Sequence, residues 1–375
     1  MAKVKAAVIG LGRIASTIDE ELGDFDGVEF PYGHIPCYMS MPEVEVVGMS
    51  DTWVEQREAA GAKWGFEALY ADYRQMLEET RPDIVSVCTS AKPRADILLE
   101  IANGGYGVRA IWAEKPITLS LAEADAAIDA CRRANIALGI NCTRRWRDDY
   151  LQVKALLNEG VIGDVVSVDS RSRCSLSHNG SHLITTLTMY VPDRAVSVVG
   201  EAELDEANPD NDFSGTGLIR FPGSIRGYVR AYDNGPNENS HDIVGTDGMI
   251  RMMNDARSVQ IWTAHKALAG HQQLRERGTF VRRHFPPPVR RHSGGVNAVR
   301  DLIHCSESGD DPRCSGDDAR EALEIAIAIR ESERRGNQPV DLPLADRSAQ
   351  IISGEVVRSE LPRAILRQRE EAAQA

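Results

Sequence analysis

Residues 112 to 118 have the sequence WAEKPIT, which places Lys115 between a glutamate and a proline at the end of an apolar run. Lysine is seldom held at such a position without a reason, because its ammonium group is costly to desolvate and its long side chain loses entropy when fixed. A lysine here can place a positive charge beside a reacting oxygen. We therefore expect Lys115 to be functional, with an ordinary surface lysine as the alternative.

Two histidines form a second candidate group. His178 and His182 are four residues apart, a spacing that on a helix puts both rings on one face, as in some zinc sites. No glutamate follows the first histidine and no third ligand is apparent, so we expect no metal. Histidine titrates near neutral pH and is suited to proton transfer. A purely structural histidine is the alternative for His182.

A glycine turn follows the first apolar segment of the chain. Within GLGRIA, Gly10, Gly12 and Ala15 match the GxGxxG/A pattern of dinucleotide-binding folds. The first glycine would permit a tight turn, the second would let the backbone approach a pyrophosphate, and the alanine would let the helix pack closely on the strand. The helix that begins at Arg13 and Ile14 would point its N-terminus at the phosphates.

An acidic residue, Asp51, ends the second predicted strand, VEVVGMSD. At this place a dinucleotide-binding fold bonds the adenosine ribose hydroxyls, and a carboxylate would repel the 2′-phosphate of NADP. The position therefore predicts NAD rather than NADP, although a simple acid at a helix start has the same pattern. Thr52 and Glu55 have the spacing of a capping box for the next helix.

Further strands alternate with helices in the first part of the chain. PDIVSVCTS (82–90) and VRAIWAEKP (108–116) are apolar strands, a helix over 94–105 separates them, and Ser120 with Glu123 forms another capping box. The alternation predicts a parallel sheet with helices on both faces and the ligand at the C-terminal ends of the strands. Four residues follow such ends and are expected at the cofactor: Thr89, Ser90, Glu114 and Lys115.

The first crossover contains an insertion. Residues 19–36, DEELGDFDGVEFPYGHIP, are rich in acids, glycine and proline. We expect a solvated loop. A lid over the cofactor or an oligomer contact is the alternative.

The pattern changes after about residue 142. Apolar and polar residues alternate between glycine turns, which predicts an antiparallel sheet with one covered face, and helices over 295–308 and 315–336 follow, the latter capped by Ser315. We therefore predict an α/β plus α+β chain. A Rossmann domain with a doubly wound parallel sheet spans 1–141, a mostly antiparallel substrate and oligomerisation domain spans 142–354, and a charged tail spans 355–375.

The composition fits an ordinary globular protein. The net charge of -13 disfavours a nucleic acid partner, and the seven cysteines include no CxxC pair, which argues against a disulfide framework and a structural zinc site. No apolar run reaches the roughly 18 residues of a membrane-spanning helix, and no signal segment is evident. We expect a cytoplasmic protein without membrane partners.

Taken in order, these motifs resemble the Gfo/Idh/MocA oxidoreductases, the family of glucose-fructose oxidoreductase and inositol dehydrogenase. The resemblance covers nearly the whole chain and implies a Rossmann domain that carries NAD or NADP, a sheet domain that carries the substrate, and homo-oligomers built by sheet packing. Its marks are GLGRIA, VCTS, AEKPIT, CTRRWRDDYLQVKALLNEGVIGDV at the domain junction, HNGSHLI, HDIVGTDGMIRM, VNAVRDLI and PRCSGDDAREALEIAIAIRES.

The resemblance also implies residue roles. Lys115 would lie beside the nicotinamide and His182 would accept a proton. Two positions depart from the family pattern, because the acids often found four residues before and three residues after this histidine are His178 and Thr185 here. His178 would either take the missing partner's role or bond the sugar. Three residues are expected to line the sugar site: Arg145, Trp146 and Asn179. For the first two, an apolar anchor and a solvated charge in the junction helix are the alternative.

The resulting prediction is an NAD-dependent dehydrogenase acting on a ring hydroxyl of a sugar, glycoside or cyclitol. Oxidation of a secondary alcohol independently requires a base for the hydroxyl proton and a cation near the oxygen. Two alternatives stay open: an enzyme that retains and recycles NAD to assist elimination or hydrolysis, and a cofactor-sensing regulator without catalysis. Arg171 and Arg173 lie on one face of a predicted strand, where they either meet an anionic substrate or form a solvated face.

Overall fold

The first sheet is built from the N-terminal part of the chain. The computed structural model describes residues 3–23, 28–264, 280–283 and 292–353. Six parallel strands have the order β3-β2-β1-β4-β5-β6. The strands are β1 (Val4–Ile9), β2 (Val44–Ser50), β3 (Leu69–Tyr70), β4 (Ile84–Val87), β5 (Ala110–Ala113) and β6 (Ala137–Ile140). The strand order reverses between β1 and β4, so their C-terminal ends open a crevice of the kind that binds ligands in doubly wound folds. The predicted Rossmann sheet is confirmed.

Helices flank the strands of this sheet. They are α1 (Arg13–Ser16), α2 (Ile18–Leu22), α3 (His34–Met39), α4 (Val54–Trp64), α5 (Tyr73–Thr80), α6 (Ala91–Asn103) and α7 (Leu121–Arg133). The capping box at the start of α7 is present, since Ser120 accepts from the Glu123 amide and the Glu123 carboxylate accepts from the Ser120 backbone. The predicted capping box at Thr52 is wrong. Helix α4 begins after Trp53 without a side-chain cap, and the Asp51 carboxylate accepts from the Trp53 amide instead.

The insertion at 19–36 is only partly a solvated loop. The Asp19 carboxylate accepts hydrogen bonds from the backbone amides of Tyr32 (3.1 Å) and Gly33 (2.7 Å), which ties the two ends of the insertion together. His34 and Ile35 are 0% exposed. The last residues of the insertion therefore belong to the core of the first sheet, while residues 24–27 lie outside the described residues.

The second sheet contains the later strands. Its order is β14-β13-β12-β11-β7-β10-β9-β8-β15, and of the paired neighbours only β7 and β10 are parallel in the described chain. The strands are β7 (Val165–Arg173), β8 (Ser197–Glu203), β9 (Ser214–Arg220), β10 (Arg226–Tyr232), β11 (Asn239–Gly245), β12 (Gly248–Met253), β13 (Ser258–Ala264), β14 (Phe280–Arg283) and β15 (Val340–Asp341). This arrangement confirms the predicted mostly antiparallel sheet.

Helices cover one face of the second sheet. Helix α9 (Gly180–Met189) packs Leu187 against Gly227, and α11 (Gly316–Arg334) packs Ile329 against Gly217. Ser315 caps α11 as predicted, in a capping box with Asp318. The alternation in β10 follows from this one-sided cover, since Val229 is buried whereas Tyr228 is 43% exposed.

The junction between the sheets consists of a 3-10 helix, η1 (Thr143–Trp146), followed by α8 (Asp148–Asn158) and, later in the chain, α10 (Gly294–Ser308). The predicted division of the chain into two consecutive domains at residues 141 and 142 does not account for helix α10. It follows the second sheet in sequence but packs on the first, where Leu302 lies against Gly139 of β6. The tail predicted at 355–375 lies outside the described residues.

Candidate active site

A cleft of about 1300 Å³ runs along the C-terminal ends of the parallel strands and extends to α9 and the second sheet. Its volume exceeds the roughly 300–1,000 Å³ of an ordinary small-molecule site. Its walls include Asn179, predicted for the sugar site, and all of the predicted cofactor and catalytic residues: Gly10, Gly12, Arg13, Ile14, Asp51, Thr89, Ser90, Glu114, Lys115, His178 and His182. The parallel topology explains this convergence, because the ends of neighbouring strands meet at one edge of the sheet.

The glycine turn is shaped for close approach of a ligand. Gly10 has φ +87°, and a Cβ there would lie 3.0 Å from the backbone of Cys88 and Thr89, so a side chain is excluded. A Cβ at Gly12 would meet no atom within 4 Å, because this residue borders the open cleft. Such a surface lets a phosphate group reach backbone amides, and the turn therefore fits a dinucleotide.

Asp51 is held rigidly at the end of β2. Its Oδ2 accepts from the Leu11 amide at 2.8 Å, and its Oδ1 accepts from the Trp53 amide at 2.9 Å. Each oxygen keeps a second lone pair that can accept from a ribose hydroxyl. At the end of β4 in the same sheet, the Thr89 Oγ1 atom is buried and has no hydrogen-bond partner in the part of the chain that the structure describes. These two groups are consistent with a cofactor on this wall.

Lys115 reaches from the end of β5 to the start of α9. Its Nζ atom lies 3.1 Å from Nε2 of His178 and 3.4 Å from Oδ1 of Asn179. An ammonium group can only donate, so the facing nitrogen of the imidazole accepts. The His178 backbone amide donates to Asp212 at 2.8 Å, which fixes the position of this histidine. The Lys115–Pro116 peptide bond is cis.

Glu114, the neighbour of Lys115, belongs to a buried hydrogen-bond chain. Its Oε1 accepts from Nδ2 of Asn141 at 2.6 Å and from Nε2 of His34 at 3.1 Å. The other ring nitrogen of His34 lies 2.8 Å from Oγ of Ser86. Burial alone would raise the pKa of Glu114, but the hydrogen bond and charge of His34, together with Lys115 and Asn141, lower it to about 2. Glu114 is therefore a carboxylate at neutral pH.

His182 lies in the first turn of α9 and faces the cleft. Its Nδ1 atom is buried without a hydrogen-bond partner among the described residues. Burial lowers the pKa of this imidazole, and the neighbouring Cys142 offsets only part of that effect. The neutral ring is able to accept a proton. The Thr185 hydroxyl donates back to the Ser181 carbonyl at 2.7 Å. Threonine has no carboxyl group, so this position does not supply the acid that the family pattern would place there.

Two expected sugar-site residues lie outside the cleft. Arg145 donates to the backbone carbonyls of Arg313 (2.7 Å) and Thr185 (3.0 Å), and Trp146 is 0% exposed with its Nε1 bonded to Asp301 at 2.8 Å. The expectation for these two side chains is therefore corrected. They anchor the junction helix instead.

Arg144 and Arg147 line the cleft in their place. Arg144 lies within η1, and Arg147 follows its last residue in an extended conformation. They were missed because the motif TRRWR does not reveal which helix type it forms. An i, i+3 pair of arginines on either side of a buried tryptophan is the signal that was available.

A carboxylate fixes both arginines. Asp255 Oδ1 accepts from Nε of Arg144 at 2.7 Å and from the Tyr150 hydroxyl at 2.9 Å. Its Oδ2 accepts from Arg147, which also pairs with Asp149 at 2.6 Å. Burial would raise the pKa of Asp255, but the two guanidinium groups hold it well below the usual range. Arg144, Arg147 and Asp255 of this ion-pair cluster form part of the lining of the cleft.

In the described ranges, no three histidine, cysteine, aspartate or glutamate side chains are grouped so that they could hold a metal ion. No described helix combines the length and apolar character needed to cross a membrane.

Known proteins resemble this chain in sequence and in fold. Residues 4–142 match the model of the Gfo/Idh/MocA oxidoreductases, described as an oxidoreductase family with an NAD-binding Rossmann fold. D-apiose dehydrogenase from Paraburkholderia graminis is 27% identical over 339 residues, which are 82% of this chain and 86% of that protein. Myo-inositol 2-dehydrogenase from Thermotoga maritima is 22% identical over 353 residues, 88% of this chain and 96% of that protein.

A solved structure shares the whole architecture. Levoglucosan dehydrogenase, in complex with NADH and levoglucosan, has a TM-score of 0.72 at 19% identity and covers 91% of this chain and 100% of its own. The family match spans the Rossmann unit, and the relatives and the shared fold extend across the second sheet. Residues 4–142 therefore match the Gfo/Idh/MocA oxidoreductases, and most of the chain is similar in sequence and fold to known sugar and inositol dehydrogenases.

Proposed function

We propose that this protein is an NAD-dependent dehydrogenase that oxidises, or reversibly reduces, a ring hydroxyl of a sugar, glycoside or cyclitol. The observation that carries the proposal is the placement of Lys115 and the neutral His182 in one cleft, next to a glycine turn shaped for a dinucleotide. The relatives are named for D-apiose and inositol, and these names support an alcohol of this class.

The cofactor would lie along the first sheet. The residues proposed to hold it are Gly10, Gly12, Arg13, Ile14, Asp51, Thr89, Ser90, Glu114 and Lys115, all of which line the cleft. NAD is preferred over NADP because the Asp51 carboxylate would repel a 2′-phosphate. When bound there, NAD would supply the hydride acceptor for oxidation of the alcohol, or the hydride donor for the reverse reaction.

The protein's own groups handle the proton. Neutral His182 accepts the proton of the substrate hydroxyl, and the Lys115 ammonium stabilises the negative charge that develops on the oxygen. Glu114 stays ionised and helps to hold Lys115 positive. His178, which contacts Lys115, either relays the proton or bonds the sugar. A positioned base of this kind typically contributes about 10² to 10⁴ in rate.

The test is absorbance near 340 nm with purified protein, NAD⁺ or NADP⁺, and a panel of hexoses, inositols, amino sugars, uronates and glycosides. Reduced cofactor with one substrate class, and faster with NAD⁺, is the expected result. If no substrate of the panel produced reduced cofactor while NADH still bound to the protein in the same samples, the result would contradict a simple dehydrogenase. Bond cleavage without net reduced cofactor would instead mark an enzyme that recycles its NAD.

We also propose that the open face of the second sheet joins copies of this chain. Tyr228 (43% exposed) and Val244 (37% exposed) lie on this face. Tyr228 pairs with Asp169 of β7, and Asp169 pairs on its other side with Asp242, two residues before Val244 on the same face of β11. An exposed apolar surface on a sheet is typical of an interaction site. A measured solution mass of two or four chains would support a homo-oligomer.

A further inference from the structure

We infer that the substrate of this cleft carries a carboxylate, bound by the guanidinium groups of Arg144 and Arg173 with help from the amide of Asn239. The inference rests on the proposed function, and it narrows the substrate to sugar acids such as uronates. These three residues line the part of the cleft next to the second sheet.

Arg144 is fixed and has unused donors. Its Nε donates to Asp255 at 2.7 Å, and neither of its Nη groups donates to any described residue. The side chain is 20% exposed, and it borders the cleft. A guanidinium group presents paired donors in a planar fork that matches a carboxylate. Arg144 is therefore preorganised for an acceptor that the protein itself does not provide.

Asp255 offers little to a ligand. One of its oxygens accepts from Arg144 and Tyr150, and the other accepts from Arg147. Both lone pairs of Oδ1 and one of Oδ2 are engaged, and the charge of this acid is compensated by the two arginines beside it.

Asn239 adds another donor to the same wall. Its Oδ1 lies 2.8 Å from Nε2 of His241, whose Nδ1 lies 2.7 Å from Oγ of Ser170. Burial lowers the pKa of His241 to about 3, so the ring is neutral. The serine hydroxyl can donate to Nδ1, and Nε2–H then donates to the asparagine carbonyl. This pairing leaves the NH₂ group of Asn239 for the cleft.

Arg173 is the second cation of this region. It ends β7, is exposed, and makes one long hydrogen bond of 3.4 Å to the Gly235 carbonyl. It has no ion pair with a described residue. Arg171, two residues earlier on the same face of the strand, instead lies 3.9 Å from both Glu238 and Asp242 and does not line the cleft. Of these two arginines, only Arg173 is placed to meet a ligand.

The charge and the donors of this wall favour a carboxylate. A carboxylate brings acceptors only and a negative charge, whereas each hydroxyl of a neutral sugar brings one donor and two acceptor lone pairs without charge. The wall formed by Arg144, Arg173 and Asn239 offers donors and two positive charges, of which only that of Arg144 is shared with Asp255. The guanidinium group of Arg144 is also near His182, the proposed proton acceptor, since its charge adds to the effect of burial in lowering the pKa of that histidine. A carboxylate held there would leave a neighbouring ring hydroxyl close to His182 and Lys115.

The experiment compares matched substrates by steady-state reduction of NAD⁺: D-glucuronate against D-glucose, and D-galacturonate against D-galactose. We expect kcat/KM to favour one uronate over its neutral partner by at least about tenfold, the equivalent of one charge-assisted hydrogen bond. Arg173→Gln should lower kcat/KM for that uronate by about tenfold, mainly through KM, and change the neutral sugar less than about twofold. Arg144→Gln should lower kcat/KM for that uronate by more than Arg173→Gln does, and because it also removes a charge that acts on His182, it should change kcat as well.

Arg171→Gln is the matched control, because it removes the same charge from the same strand without touching the cleft. It should leave both substrates unchanged. If Arg144→Gln fails to fold because Asp255 loses a partner, Arg173→Gln still decides the question.

The outcomes separate the two proposals. Better turnover of the neutral sugars, or equal effects of Arg173→Gln and Arg171→Gln on the uronate, would overturn the carboxylate inference and leave the dehydrogenase in place. Absence of reduced cofactor with all four sugars and with the wider panel, while NADH still binds, would overturn both.

Discussion

Replacing His34 by asparagine should loosen Glu114, whereas replacing it by glutamine should not. The amide nitrogen of asparagine takes roughly the place of Nδ1 of histidine, which faces Ser86, and that of glutamine takes roughly the place of Nε2, which faces Glu114. His34→Asn therefore removes a donor from a buried carboxylate, and His34→Gln retains it. The two variants also differ by one buried methylene, worth about 0.8 kcal/mol, so the pH dependence is needed to separate the carboxylate effect from packing.

The magnitude follows from the pKa of Glu114. The difference between its ordinary value of 4.5 and its value here of about 2 corresponds to about 3 kcal/mol of stabilisation of the ionised form. After burial, which acts in the opposite direction, the hydrogen bond and the charge of His34 are the largest contributions. His34→Asn should therefore lower the free energy of unfolding by about 1.5–2 kcal/mol more than His34→Gln. For a domain of roughly 150–250 residues this corresponds to about 4–8 °C in Tm.

The effect should depend on pH. Because the pKa of Glu114 is lower in the folded protein, its stabilisation is complete above about pH 4.5 and is lost as the pH falls towards 2. The gap in Tm between the two variants should be full at pH 7 and should narrow below about pH 4.5.

The assay is thermal unfolding of both variants and the wild type, without cofactor, at several pH values between 7 and 3.5. Turnover at pH 7 serves as a second measurement, since Glu114 adjoins Lys115. Equal Tm values for the asparagine and glutamine variants at pH 7 would refute the reasoning. A gap that stays constant down to pH 3.5 would show that packing, and not the carboxylate, is responsible.

Further predictions concern the reacting groups, the cofactor and the assembly. The turnover number should fall at least about 100-fold in Lys115→Ala and in His182→Ala, while NADH fluorescence still shows cofactor binding. Near-normal turnover in either variant would remove that residue from the mechanism. Asp51→Asn should reduce the preference for NAD over NADP in kcat/KM by about tenfold, because it removes charge repulsion; an unchanged ratio would contradict the ribose assignment. Tyr228→Glu should shift the oligomer to smaller species in light scattering, and an unchanged mass would exclude the open face as the interface.

Local sequence patterns were sufficient to predict the glycine turn and the strand-end residues of the site. The glycine turn was predictable because only glycine tolerates the φ of Gly10 and its approach to the backbone of Cys88. Asp51 and Lys115 were predictable because the ends of neighbouring parallel strands meet at one edge of the sheet, so position along the sequence translates directly into position in space. The alternation of apolar residues likewise predicted the two kinds of sheet.

Contacts between distant segments decided the rest. The choice of Arg144 over Arg145 depends on the 3-10 geometry of η1 and on Asp255, which lies 111 residues away in the chain. His34 is part of the core, where it donates to the buried carboxylate of Glu114, 80 residues later in the chain. The sequence by itself thus determined the parallel sheet, its glycine turn and the strand-end residues, since each depends on local backbone conformation and periodicity. Only the tertiary structure decided which arginines face the substrate and what holds Glu114 in place, because these depend on burial and pairing between side chains far apart in the chain.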